Sequence, residues 1–297
     1  MMKRFLILCL VLLASNLSSA QANLLNALFP EEVGVKTAAQ VAADNDHPLP
    51  YKYIDDRDIL WSKVVWEYID LNEKMNLPYY YPIDTINISN KRRSLYDTLM
   101  KGIRKSEIVD VYDDSYFQDR LTLNGIQQRL TRRDTTNVGF DKLNAGETLT
   151  REDVDIRKIT SADIEGFKIK GVWYFDKRQG EIKYRLLGLA PVAPDVNFID
   201  SDDAQDNLVE LFWVWFPDAR ETLYQMKVFN PKNAAYPLSY DLIINARRFS
   251  SIIYKEQNVY DNREISEYIK GNALYQVLES RRVKEDIRNR ELDMWIY

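Results

Sequence analysis

Residues 165–190 read EGFKIKGVWYFDKRQGEIKYRLLGLA and carry the clearest structural signal in the chain. In the first half, every second residue is apolar, as expected for a β-strand with one buried face. The apolar set is Phe167, Ile169, Trp173 and Phe175, opposite Lys168, Lys170, Val172 and Tyr174. After a turn at 176–180 that ends in glycine, the alternation resumes with Ile182, Tyr184 and Leu186. The stretch therefore predicts an antiparallel β-hairpin.

Two further strands are predicted after the hairpin. Residues 208–216 place apolar side chains on both faces, with Trp213 and Trp215 on one of them, which predicts one continuous central strand. Residues 249–256 are also strand-like. The expected sheet is thus antiparallel and contains residues 165–216 and 249–256.

Helices are expected on both sides of these strands in sequence. Residues 57–73 place a wide apolar stripe at helical spacing, and residues 264–290 repeat apolar side chains among both signs of charge. Shorter helices are predicted at about Ser94 to Arg104 and from Ser239 through Ala246. The predicted fold class is α+β, an antiparallel sheet with flanking helices.

The N-terminus predicts export. A basic start, Lys3-Arg4, precedes a short apolar run and the small residues Ser18-Ser19-Ala20, which is typical of a signal peptide covering residues 1–20. Residues 21–54 are expected to form an arm, since two prolines close together interrupt regular structure there. Residues 55–297 are expected to form the globular domain, and a division into two lobes, 55–160 and 161–297, is left open.

The composition makes nucleic acid an unexpected partner. The chain has 45 acidic and 40 basic residues, for a net charge of −5. Cleavage of the signal peptide would remove Lys3 and Arg4 and no acid, so the mature chain is more negative. Binding to phosphates depends mostly on positive charge. After the signal, no apolar run is long enough to span a bilayer, so no direct membrane span is expected.

Most catalytic mechanisms use side chains that this sequence lacks outside its first 54 residues. Its only cysteine is Cys9, inside the signal peptide, and its only histidine is His47, in the arm. Nucleophile–histidine catalysis and zinc sites therefore lack their usual side chains, and no phosphate-binding loop motif is present. We expect no catalytic residues, no cofactor and no metal.

Two alternatives stay open at this level. The first is a secreted, glycosidase-like hydrolase, because a pair of carboxylates would suffice for its chemistry. Its candidate acids are Asp110, Asp113, Asp114, Asp176, Asp218 and Glu221. The second alternative is a small-ligand binding module, which would need a sizeable apolar pocket.

Aromatic and apolar side chains are the candidates for partner binding. The chain contains 19 tyrosines and 6 tryptophans, residue types that protein interfaces favour. The candidates are the arm residues Leu24, Leu25, Leu28 and Phe29 and the strand residues Trp173, Phe175, Trp213 and Trp215. Packing inside the core is the competing interpretation for the strand residues.

Four segments resemble GldN, called PorN in some organisms, of the Bacteroidetes gliding motility and type IX secretion machinery. They are DDRDILWSK at 55–63, EGFKIKGVWYFD at 165–176, GLAPVAPD at 188–195 and RRFSS at 247–251. The likeness runs through most of residues 50–270. The family contributes no catalytic motif, in agreement with the expected lack of enzymatic activity.

The resemblance implies a place in a protein complex. It implies a periplasmic protein held at the inner face of the outer membrane by a lipoprotein partner, GldK or PorK. It also implies contact with the inner-membrane components GldL and GldM (PorM) and self-association in a ring-shaped complex.

Overall fold

A computed structural model describes residues 47–84, 92–199, 207–230 and 238–295, and Pro48–Tyr297 form one compact unit. Seven strands form the main sheet, in the order β11-β1-β5-β6-β8-β2, with β7 added beside β6. These strands are β1 (Ile59–Asp70), β2 (Val111–Tyr112), β5 (Gly166–Asp176), β6 (Glu181–Pro194), β7 (Leu208–Glu210), β8 (Trp213–Trp215) and β11 (Ile252–Glu256). Two separate pairs are β3 (Thr131–Thr135) with β4 (Val154–Lys158), and β9 (Lys227–Val228) with β10 (Leu238–Ser239).

The predicted hairpin is confirmed as β5–β6. Its strands pair antiparallel from Asp176 opposite Glu181 back to Gly166 opposite Val192. Gly180 closes the turn with φ +67°, a backbone conformation that glycine adopts without steric cost. The Gly180 N–H donates to the Asp176 carbonyl at 2.7 Å. The alternation in the sequence thus predicted both the strands and the turn.

The helix predicted at 57–73 is wrong, because residues 59–70 form β1. This strand pairs with β11 on one side and β5 on the other. Val65 is buried in one cluster and Trp66 in another on the opposite face, so both faces of the strand carry apolar side chains. A strand covered on both faces loses the two-residue alternation and fits a wide helical stripe equally well.

The single strand predicted at 208–216 is also corrected. The structure has two short strands there, β7 and β8, separated by Leu211 and Phe212. β7 continues beside the end of β6, whereas β8 lies between β6 and β2. The central position is therefore confirmed for Trp213–Trp215 only.

Eight helices are found in the described residues. They are α1 (Leu77–Tyr80), α2 (Leu95–Arg104), α3 (Leu123–Leu130), α4 (Asn137–Asn144), α5 (Phe216–Gln225), α6 (Tyr240–Asn245), α7 (Ile265–Tyr268) and α8 (Ala273–Trp295). The helices predicted from Ser94 and Ser239 are confirmed as α2 and α6, and the structure shows that each serine hydroxyl caps its helix by accepting a backbone N–H from the first turn. The α+β fold class is confirmed.

The long helix predicted at 264–290 is broken. α7 ends at Tyr268, and α8 begins at Ala273 and continues to Trp295. Gly271 lies between them with φ +68°, outside the helical region. The apolar repeat continues through the break, so the pattern alone did not reveal it.

The helices cover one face of the main sheet, here called the helical face. Its strand residues include Val65, Ile169 and Leu189. The main core packs Ile169, Leu189 and their neighbours against α2, α5 and α6. Val283 and Ile287 of α8 pack against Val65 and Ile253 in a second cluster. The opposite face carries a smaller cluster around Trp66 and Trp213.

The β3–β4 pair has its own polar anchor, Asp153. Its carboxylate accepts hydrogen bonds from the Lys142 ammonium at 2.6 Å, the Thr150 hydroxyl at 2.6 Å and the Thr150 N–H at 2.7 Å. The Lys142 bond foremost, together with those from Thr150, lowers the pKa of Asp153 from 3.8 to about 2. Hydrogen bonds to the charged form favour that form.

We expect acid to release this anchor. Because the folded pKa of Asp153 is depressed, its stabilising contribution is present above pH 3.8 and is lost as the pH falls from 3.8 towards 2. The amide shift of Thr150, followed by NMR, should titrate with a midpoint near the folded pKa. Asp153→Asn should abolish that titration. A wild-type midpoint at 3.8 would contradict the anchor.

Candidate functional site

A buried ion pair lies on the helical face. Glu67 of β1 is 0% exposed, and Arg247, 180 residues later, binds its carboxylate with two hydrogen bonds. Nη1 lies 3.0 Å from Oε1 and Nη2 lies 2.7 Å from Oε2, and the Ser251 hydroxyl donates to Oε2 as well. This two-pronged geometry is the strong form of a carboxylate–guanidinium contact.

Aromatic rings enclose the guanidinium of Arg247. Its Cζ atom lies 4.1 Å from the ring centroid of Tyr184 and 5.1 Å from those of Trp173 and Phe249. These distances allow cation–π attraction, which is stronger away from water. Burial raises the pKa of Tyr184 well above its ordinary value, so its hydroxyl stays neutral. Aromatic rings therefore enclose the cationic member of the ion pair on several sides.

A cavity of about 560 Å³, here called the α8 cavity, opens beside this ion pair. Helix α8 forms one wall through Lys284, Ile287, Arg288 and Glu291. The other lining residues come from the sheet and from the segments at 75 and 247–251: Glu67, Met75, Trp173, Ile182, Arg247, Phe249, Ser250, Ser251 and Ile253. The Lys284 ammonium donates to the backbone carbonyl of Ser251, which ties α8 to that segment.

The opposite side of the sheet carries a surface of lysines set over aromatic rings. This aromatic–lysine face is defined by Trp66, Tyr116, Lys168, Lys170, Tyr254 and Lys255. Strand pairing places Lys170 and Lys255 on either side of Trp66, and paired residues point to the same face. Their ammonium groups each lie 5.0 Å from the Trp66 ring centroid.

Each lysine ammonium group of this face has one polar partner within the chain. Lys168 pairs with Glu210 at 2.7 Å, Lys170 donates to the Ser115 carbonyl at 2.7 Å, and Lys255 donates to the Tyr116 hydroxyl at 3.2 Å. Burial lowers the pKa of Lys170, Asp114 opposes this shift, and Lys255 adds to it. Two neighbouring cations thus repel each other on a surface rich in aromatic rings.

The loop at 113–119 covers one end of the aromatic–lysine face. Phe117 packs edge-on against Trp213 and Trp215, with ring centroids 6.2 and 4.9 Å apart. A Cβ atom on Gly188 would come within 2.4 Å of the Phe117 ring, so this glycine makes room for the loop. Tyr116, next to Phe117, stays 44% exposed.

The strand residues predicted to bind partners are divided between the two faces. Trp173 and Phe175 pair with Lys63 and Trp61 of β1 on the helical face, whereas Trp213 and Trp215 lie against Phe117 on the other face. Trp213 is 0% exposed and Phe175 is 6% exposed, so both pack in the core. Trp173 and Trp215 are half-buried. The structure does not bring the four side chains together.

The arm candidates Leu24, Leu25, Leu28 and Phe29 lie outside the described residues. The structure describes only residues 47–54 of the arm, and in that part Leu49 is 82% exposed.

Several acids considered for a hydrolase have local partners. Asp110 pairs with Arg120 at 2.8 Å, and Asp113 pairs with Arg129. Asp218 accepts the N–H groups of Val109 and Asp110 at 2.7 and 3.0 Å. The carboxylates of Asp114 and Asp176 each accept a backbone N–H from two residues later in the same turn. Each of these contacts orders a loop or a turn.

The sequence prediction missed Glu67, Arg247 and the lysine face. Glu67 stands between Val65 and Ile69 in the apolar segment that was assigned to a helix. Had the segment been treated as a strand, a lone acid among inward-facing residues would have indicated a buried partner. Arg247 is part of the RRFSS segment at 247–251, but its pairing depends on the fold.

Within the described ranges, no helix combines the length and the apolar character needed to cross a membrane. In the same ranges, no group of three or more His, Cys, Asp or Glu side chains is placed to hold a metal ion.

Comparison with known proteins gives one family. Residues 54–296 match the model of the family described as "Gliding motility associated protein GldN". No curated protein matches the chain. The matched residues contain both faces of the sheet and the α8 cavity.

Proposed function

Because residues 54–296 match the family model, the chain belongs to the GldN family of gliding motility associated proteins, and we propose that it is a non-enzymatic structural subunit of the type IX secretion and gliding machinery. In this proposal it acts in the periplasm, at the inner face of the outer membrane. It binds an outer-membrane lipoprotein of the GldK (PorK) type, associates with further copies of itself in a ring, and contacts the GldL and GldM (PorM) components.

The aromatic–lysine face is the observation that carries this proposal. It combines large rings with lysine side chains, and Lys168, Lys170 and Lys255 remain partly accessible to solvent. Aromatic residues supply contact area, and positive charge selects an acidic partner and speeds its approach. We assign this face to the lipoprotein and expect the contacting surface of that partner to be acidic.

A binding titration tests this assignment. The purified mature chain and the soluble part of the lipoprotein should form a saturable complex whose affinity falls as salt is added, because salt screens exposed charges. Binding that is saturable but insensitive to salt would contradict the role of the lysines. A lack of binding would contradict the partner.

The arm is proposed to add a second contact to the same partner. Deleting residues 21–50 should reduce co-purification with the lipoprotein at least about tenfold, because the deletion removes an apolar patch of four large side chains. The deletion stops before Tyr51, whose hydroxyl donates to Asn245 at 2.9 Å, so this contact with the folded unit is kept.

Val259→Ser is the matched control for the arm deletion, because it removes a 90% exposed apolar side chain from a different part of the chain. Unchanged co-purification of the deleted chain would reject the arm's role and leave the aromatic–lysine face as the proposed contact.

A further inference from the structure

The α8 cavity has the size and lining of a ligand site. Its volume of about 560 Å³ falls within the range of ~300–1,000 Å³ that small-molecule pockets occupy. One side is apolar, made by two aromatic residues and three isoleucines: Trp173, Phe249, Ile182, Ile253 and Ile287. A flat apolar group could lie against these side chains.

Two cations line the α8 cavity close together. Lys284 and Arg288 are four residues apart on α8, and such residues are neighbours on one side of a helix. Neither forms an ion pair with a carboxylate in the part of the chain that the structure describes. Both side chains are exposed at the rim of the cavity. Desolvation lowers the pKa of Lys284, with Glu67 acting in the opposite direction, and a counter-charge stabilises an ammonium in such a setting.

The acids of the cavity do not balance these cations. Glu67 already binds Arg247 with both of its oxygens, so this pair is neutral. Glu291 is the remaining acid of the lining, against Lys284 and Arg288. The free charge of the cavity is therefore positive, beside an apolar wall.

We propose that the α8 cavity binds a carboxylate carried on an apolar or aromatic group. The carboxylate accepts hydrogen bonds from Lys284 and Arg288, and the apolar group lies against Trp173 and Phe249. A free aromatic acid and the C-terminus of a peptide both present this chemistry. The inference is independent of the lipoprotein contact, since the cavity opens on the helical face.

Ligand titrations of the mature protein test the proposal. The probes are 3-phenylpropionate, its uncharged amide 3-phenylpropanamide, and the peptide Ala-Ala-Phe with a free or an amidated C-terminus. Each charged probe should bind at least about tenfold more tightly than its amide, because the carboxylate accepts charge-assisted hydrogen bonds that the amide lacks. Tighter binding of the free acid would identify a small molecule as the source, and tighter binding of the peptide would identify a chain end.

Variants on α8 locate the binding. Lys284→Gln with Arg288→Gln should weaken 3-phenylpropionate at least about tenfold while leaving the weaker amide unchanged. Arg281→Gln is the matched control, an exposed arginine of the same helix that does not line the cavity. Equal affinity for acid and amide, an unchanged affinity in the double variant, or no saturable binding of any probe would each overturn the proposal.

Discussion

Arg247→Met is expected to destabilise the folded chain by about 3–5 kcal/mol, because it leaves the charge of Glu67 buried without its partner. Glu67 is 0% exposed, and only the Ser251 hydroxyl would remain bonded to its carboxylate among the contacts described above. Methionine keeps most of the apolar length of arginine, so the decrease in the free energy of unfolding comes mainly from the lost charge pair. Denaturant unfolding at neutral pH measures this free energy.

Arg248→Met is the control for this prediction. Arg248 is the next residue and is exposed, so its substitution should change stability by less than about 0.5 kcal/mol. Replacing both members of the pair, Glu67→Leu with Arg247→Met, should recover most of the loss, because an apolar pair often substitutes for a buried ion pair. If Arg247→Met and Arg248→Met unfold at the same denaturant concentration, the ion pair does not have the assigned role.

Reversing two charges on the aromatic–lysine face should weaken lipoprotein binding by about a hundredfold or more. Lys170→Glu with Lys255→Glu places two acids opposite a partner surface that we expect to be acidic, and like charges at an interface cost several kcal/mol. Lys170→Met with Lys255→Met removes the charges without repulsion and should give a smaller loss. Calorimetric titration measures the affinity of both double variants. Weaker binding of the glutamate variant than of the methionine variant therefore indicates a negatively charged partner surface.

The matched control reverses two charges elsewhere. Lys270→Glu with Arg281→Glu makes the same change in net charge at two exposed positions that are not part of the face. It should bind as the wild type does. Denaturant unfolding of each variant separates a lost interface from a lost fold. Folded Lys170→Glu/Lys255→Glu protein that binds at wild-type affinity would exclude the aromatic–lysine face as the docking surface.

Local patterns predicted the parts of the fold that depend on neighbouring residues. The β5–β6 hairpin follows from strict alternation and a glycine-ended turn. The starts of α2 and α6 follow from Ser94 and Ser239, because a capping serine acts within one helical turn. In each case, the interaction that fixes the structure joins residues close in sequence.

The parts that failed depend on tertiary burial. β1 is apolar on both faces because α8 covers Val65 and the other cluster covers Trp66, and neither covering element is visible in residues 59–70 themselves. The apolar spacing of that segment fits a helix. Its enrichment in β-branched and aromatic residues favours a strand, and this composition is the local signal that agrees with the structure.

The candidate sites were less predictable than the fold. The contact between Glu67 and Arg247 joins residues 180 positions apart, and the lysine face needs β1, β5 and β11 to be neighbours. The tryptophans of the sequence prediction were selected by residue type alone, and type does not tell on which face of a sheet a side chain lies.

The mass and composition of the assembly captured from native envelopes through this chain test the central claim most directly. The proposed function predicts a large particle that contains many copies of the chain together with the outer-membrane lipoprotein. Recovery of the chain as a free monomer, with no lipoprotein in the eluate, would contradict it.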